Sequence, residues 1–144
     1  MQIKLAICIL SGLAVLAAAA ISQDVTRDAS DGVFTVEQAK RGQASFGDNC
    51  AVCHGDALDG SESAPSISGD EFKLAWGGHN VGELVDHIQN TMPPGQTGKL
   101  SREADTDLAA YILSVNKFPA GTTELPSNAD LLKQIRIDAV KTAK

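Results

Sequence analysis

Apolar positions along this chain change spacing several times, and each spacing predicts a different element. Residues 5–15 are mostly apolar, with Lys4 before them and Ala17, Ala18, Ala19 and Ala20 behind. A positive start, a short apolar core and small residues at Ala18 and Ala20 predict an export signal, residues 1–20, removed by cleavage. The rival is an uncleaved anchor, since residues 3–21 are nearly long enough to span a bilayer; the polar stretch from Ser22 favours cleavage. Residues 21–34 are short, polar and charged, and read as a flexible lead-in. Thr35 followed by Gln38 predicts a capping box that opens a helix toward Cys50. On that helix Gly42, Phe46 and Cys50 recur every four residues and share one face. Residues 55–69, rich in Gly, Ser and Asp, have no periodicity and read as loop.

Val81, Leu84, Val85 and Ile88 stand at i, i+3, i+4 and i+7, the mark of a short amphipathic helix. Met92-Pro93-Pro94-Gly95 must end it, because proline restricts its predecessor and cannot continue helical bonding. Ser101 can cap a third helix, with Glu103 in its first turn favourable for the dipole. Leu108, Tyr111, Ile112 and Val115 form its stripe, and Pro119 and Gly121 close it. Leu131, Leu132 and Ile135 suit either a short packed helix or a mobile tail. No repeat and no convincing sheet is visible. The expected fold is all-α, about three main helices plus loops, with one domain over residues 35–118 and a C-terminal extension over 119–144 that can pack on it.

A chain of 144 residues is enough for one domain. The net charge is -6, and loss of residues 1–20 would remove one lysine and no acid. That acidity argues against nucleic acid and anionic membrane surfaces. It favours protein partners with a basic docking patch, where charge mainly speeds encounter. Membrane association is expected only if the N-terminal segment is kept as an anchor.

The candidate chemistry lies in Cys50-Ala51-Val52-Cys53-His54, the pattern of covalent haem attachment. Two sulfurs about one helical turn apart can reach two vinyl groups on one edge of a porphyrin, and His54 follows where a ring nitrogen can take an axial position on the iron. A zinc site would want four Cys or His ligands, and the chain offers no second close pair. A thioredoxin-like pair should follow a buried strand, yet the residues before Cys50 lack β-branched side chains. A Cys50–Cys53 disulfide would close a tiny loop and constrain little. The third cysteine, Cys8, lies in the export signal and too early for a lipidation site.

One haem also needs a sixth ligand or an open position. The candidates are His79, His87 and Met92. Met92 is the only methionine outside the export signal, 38 residues after His54, and two prolines hold it in a turn with little entropy left to lose. A thioether also favours reduced iron relative to a second histidine. His79, between Gly78 and Asn80, reads as a solvated loop histidine, and His87 lies off the apolar stripe of its helix. Met92 could also be an ordinary apolar residue.

Taken in order, Gly42-x-x-x-Phe46-x-x-x-Cys50-x-x-Cys53-His54, Met92-Pro93 and Leu108-x-x-Tyr111 resemble the class I, single-haem cytochromes c over roughly residues 35–118. The resemblance implies that the first and last helices cross at Gly42. It implies that the Pro65 carbonyl accepts a hydrogen bond from His54, and that Met92 is the distal ligand. It further suggests that Trp76 packs on the haem edge and offers its indole N–H to a propionate, although core packing alone would also explain it, and that Ile67 lies beside the haem. The stretch from Tyr111 to Leu125 resembles cytochromes associated with periplasmic quinoprotein or sulfur-compound dehydrogenases. The implied protein is a periplasmic one-electron carrier with one haem c, passing electrons from a dehydrogenase or respiratory complex to an acceptor, with no catalytic residues of its own. The alternatives are a haem subunit of an oxidoreductase, or a gas-binding protein with an exchangeable sixth ligand.

Overall fold

Gly42 sets the architecture. In the computed structural model, which describes residues 26–138, helix α1 (Val36–Asn49) crosses helix α5 (Arg102–Val115) at this glycine. A Cβ built there would overlap the Asp107 carbonyl and stand 2.9 Å from the Tyr111 Cβ. One turn along, Phe46 meets Tyr111 with ring centroids 5.5 Å apart and planes tilted by 59°. Only glycine lets the two backbones approach so closely. Gly42→Ala would gain about 1 kcal/mol of helix propensity but must push apart a pair of helices whose contact is backbone. A net loss of about 2 kcal/mol is expected from overpacking, read as a lower urea midpoint at unchanged slope.

The other periodic segments form helices where their patterns predict them. Helix α4 (Val81–Thr91) buries Val81, Leu84, Val85 and Ile88, capped by Asn80 and Glu83 bonding to each other's backbone N–H. It stops at Met92, before the two prolines. Ser101 caps α5, accepting from the Ala104 N–H at 3.3 Å. Leu108 and Ile112 of the α5 stripe are buried. Two short helices and one longer one complete the set: α2 (Ala51–His54), α3 (Gly69–Trp76) and α6 (Ala129–Lys133). The sequence pattern had not marked α3, which buries the single large apolar residue Phe72.

Three expectations are corrected. The capping box at Thr35 is only half formed: its hydroxyl accepts from the Gln38 N–H at 3.1 Å, but Gln38 does not reach back. Its amide is instead 2% exposed, donating to the Leu125 carbonyl at 3.1 Å and accepting from the Leu125 N–H at 2.8 Å. A buried amide with both groups paired is worth more than a second cap bond at the surface. Second, the lead-in is not a free tether where it is described, since Ala29, Val33 and Phe34 are fully buried. Third, a small sheet exists: β1 (Arg27–Asp28) pairs in parallel with β2 (Ile135–Arg136).

Of the two readings of the C-terminal extension, packing holds through residue 138. Leu125, Leu132, Ile135 and Ile137 join the core, and Arg41 ties Glu124 and Asp107 together with bonds of 2.8 to 3.0 Å. The expected export signal and residues 21–25 lie outside the described residues. No helix among the described residues is long and apolar enough to cross a membrane.

Candidate haem-binding cleft

The end of α1, the short α2, the loop over residues 55–68 and the end of α4 converge on one apolar cleft. It has two lobes, of about 180 and 340 Å³, sharing His54, Pro65, Ile67, Ile88, Met92 and Ile112. Phe46, Cys50, Cys53, Leu108 and Pro93 wall the first lobe, and Trp76, Leu84 and His87 line the second. Apolar clefts with a few convergent polar groups are where cofactors bind.

Each side chain is placed by an identifiable local cause. The backbone bends at Cys50, whose N–H still reaches the Phe46 carbonyl at 2.8 Å, and helical bonding resumes from Cys50 to His54 at 3.0 Å. Both cysteines are free thiols, half-buried on the cleft wall. Burial, with smaller contributions from Asp105 and Cys53, pushes the Cys50 thiol up to about 11. A redox-active dithiol needs the opposite shift, and a helix rather than a strand precedes the pair. Among the described residues no group of three or more His, Cys, Asp or Glu could hold a metal ion. The thioredoxin-like reading of the cysteines therefore loses its structural support.

His54 is oriented by its Nδ1, which lies 2.9 Å from the Pro65 carbonyl oxygen. A carbonyl can only accept, so Nδ1 carries the proton and Nε2 keeps a free lone pair. Pro65 is held in turn. Leu58, fully buried, accepts from the Ile67 N–H and from the Ser66 and Ser68 hydroxyls. Asn116, at the end of α5, donates to the Ile67 carbonyl at 3.1 Å and accepts from the Gly69 N–H at 2.9 Å. Sequence reasoning missed Asn116, because a polar residue one step beyond an apolar stripe looks like an ordinary helix end.

Met92 is fixed by the turn that follows it. Its N–H bonds the Ile88 carbonyl at 3.0 Å, Gln96 bonds back to Pro93, and Gly98 bonds back to Gln89. Arg102 clamps this end of α4 to α5 and the tail through Asp86, Gln89 and the Ser127 carbonyl. Among the three candidate sixth ligands, Met92 lines both lobes, His87 lines one, and His79 lines neither. His79 is exposed and sits 3.2 Å from Glu83. Trp76 is half-buried, with His79 and His87 edge-on to it at 5.8 and 5.5 Å between centroids. Ile67 and Pro65 line both lobes.

The residues fit a c-type haem. Two thiols, one imidazole with its free nitrogen set by a backbone bond, and a thioether border the same apolar cleft. Comparison with known proteins agrees. The family described as cytochrome c oxidase, cbb3-type, subunit III matches residues 37–112, more than half of the chain. The chain belongs to this family of c-type cytochromes, electron-transfer domains with covalently attached haem, and has the class I cytochrome c fold. The cbb3-type cytochrome c oxidase subunit FixP of Bradyrhizobium diazoefficiens is 29% identical over 119 residues, covering 74% of this chain and 39% of that protein. A thiosulfate dehydrogenase of Stutzerimonas stutzeri is 32% identical over 80 residues, covering 51% of this chain and 26% of that protein. The chain thus spans well under half the length of these relatives. A solved structure of the sulfane dehydrogenase SoxCD from Paracoccus pantotrophus aligns with a TM-score of 0.49 at 22% identity, over 74% of this chain and 61% of that one.

Proposed function

We propose that this chain is an exported, single-haem electron carrier that performs no bond chemistry of its own. Cys50 and Cys53 would hold haem c through thioethers, and His54 and Met92 would supply the two axial ligands. Bound haem c supplies a one-electron couple. The observation that carries this reading is the His54 Nδ1 bond to Pro65, which leaves Nε2 free in a cleft that Met92 also lines. The same bond raises the ligand basicity of the imidazole and prevents its rotation. The Met92 thioether, a soft donor, favours the reduced state. Phe46, Ile67, Ile88, Leu108 and Ile112 exclude water. Trp76 closes one edge of the second lobe. The domain limits are those of the sequence reading, an export signal over residues 1–20 and a cytochrome domain over residues 35–118, with residues 26–34 and the extension as its packed flanks.

Redox proteins are the partners, and a basic docking patch on them is supported by the local charge. Residues 42–72, which include the attachment motif, carry six acidic side chains and neither lysine nor arginine. Val52, between the two cysteines, is 91% exposed and offers an apolar contact within this acidic stretch. A brief complex suits turnover.

A second reading has support in the relatives' names. FixP is called an oxidase subunit and the other relative a dehydrogenase, so the chain could serve as the haem subunit of an oxidoreductase. The test is exposure of the reduced protein to carbon monoxide at neutral pH. Two filled axial positions predict an unchanged spectrum, together with a far-red ferric band from sulfur–iron bonding. Ready binding of the gas would favour an open site, as in an enzyme subunit or gas binder.

A further inference from the structure

Asp105 is a buried acid that the carrier reading leaves unused. It lies in the first turn of α5 and is 1% exposed, and its Oδ2 is buried with no hydrogen-bond partner. An unpaired carboxylate oxygen in such a place is expensive, and native structures keep few of them. Asp105 itself lines neither lobe of the cleft. Leu108, three residues on and therefore on the same helix face, is a cleft wall. The charge of Asp105 also reaches the Cys50 thiol across the α1–α5 contact.

We propose that the Asp105 carboxyl takes up a proton when the domain accepts an electron and releases it when the electron leaves, so that its charge helps set the reduction potential. This rests on the proposed haem attachment at Cys50 and Cys53. One electron arrives from the redox partner and one proton arrives from water; oxidation returns both. The physical link is reciprocal. Negative charge added to the cleft raises the proton affinity of a nearby carboxylate, and an ionised carboxylate in turn stabilises the oxidised state. Burial makes the coupling strong, because low dielectric screens it little.

Few other charges compete. Arg102, on the same helix, is the cation that reaches Asp105, and it is already engaged by Asp86 of α4. From α1 the group facing Asp105 is the Cys50 thiol. Asp107, on α5, and Glu124, on the tail, are both taken up by Arg41. Burial outweighs the Arg102 charge and pushes the Asp105 carboxyl up to about 6, close enough to neutrality for a proton to be exchanged.

The test is the midpoint potential of the haem-loaded protein followed from about pH 5 to 8, with Asp105→Asn beside it. The wild-type potential should fall as pH rises through the window near and above pH 6. The limiting slope is one proton per electron. In Asp105→Asn the slope should vanish in that window, leaving the potential near its acid-side value and above wild type at pH 8. Infrared difference spectra of the wild type should show a protonated carboxyl band appearing on reduction and absent from the variant. Where the variant folds poorly the wild type decides alone: no protonated carboxyl band appearing on reduction would overturn the inference. An equal slope in both proteins, or a carboxyl band that survives the substitution, would overturn the inference. A wild type that carries no haem or lacks the sulfur–iron band would instead remove the carrier reading on which it rests.

Discussion

Protein made with a working haem maturation system should carry one covalently bonded tetrapyrrole per chain by intact mass, and the variant with both Cys50→Ala and Cys53→Ala should carry none that is covalently bonded. The loss is expected to be complete, because these sulfurs are the only attachment points the cleft offers. The cleft itself should survive the change: its walls come from α1, α4, α5 and the loop over residues 55–68, fixed by Gly42, Leu58 and Asn116 rather than by the thiols. Some haem can therefore still enter the double variant, held by His54 and Met92 alone. Acid acetone separates the two cases, since it strips a ligand-held haem and leaves a thioether-bonded one. Colour that resists extraction in the double variant would refute the attachment sites.

The second large effect is expected at Met92. Met92→Ala should keep the haem attached, abolish the far-red ferric band, open the iron to carbon monoxide and lower the potential. A fall on the order of 100 mV is modest beside the roughly 0.8 V over which axial ligands tune haem proteins. The backbone should hold its place, because Gln96, Gly98 and Arg102 fix the turn and the end of α4 without using the methionine side chain. The change thus reports on ligation rather than folding. An unchanged spectrum would withdraw Met92 and turn attention to His87, which lines one lobe from the same helix.

What could be read from residue order was whatever repeats or sits at fixed spacing. The stripe of α4 appears as written, since a helix that buries one face must show it every three or four residues; that of α5 is broader, burying Ala109, Ala110 and Leu113 as well while Tyr111 and Val115 are only half-buried. Gly42 was legible because the family resemblance sets a helix crossing there, and the α5 backbone supplies the contact. The members of the cleft could be named for similar reasons: Cys50, Cys53 and His54 are neighbours in the chain, and Met92 is marked by the prolines behind it.

Illegible were contacts that join distant residues through single polar groups. Gln38 looked like half of a capping box, and nothing local says that Leu125 will claim its amide. Asp105 carried no sequence signal of its own; only tertiary packing makes it buried while Glu103, two residues earlier, stays in solvent. Helix α3 escaped because one buried phenylalanine has no period. The lead-in misread as flexible has the same cause: Ala29, Val33 and Phe34 are too few to form a pattern, and their burial depends on the C-terminal tail arriving beside them.

The parallel pairing of Arg27–Asp28 with Ile135–Arg136 has a mechanical consequence. None of these four residues lines either lobe of the cleft. Any membrane tether or neighbouring module joined ahead of residue 26 would therefore be moored at the strand pair, and pulling on that mooring would load the terminal strands before the wall that grips the prosthetic group.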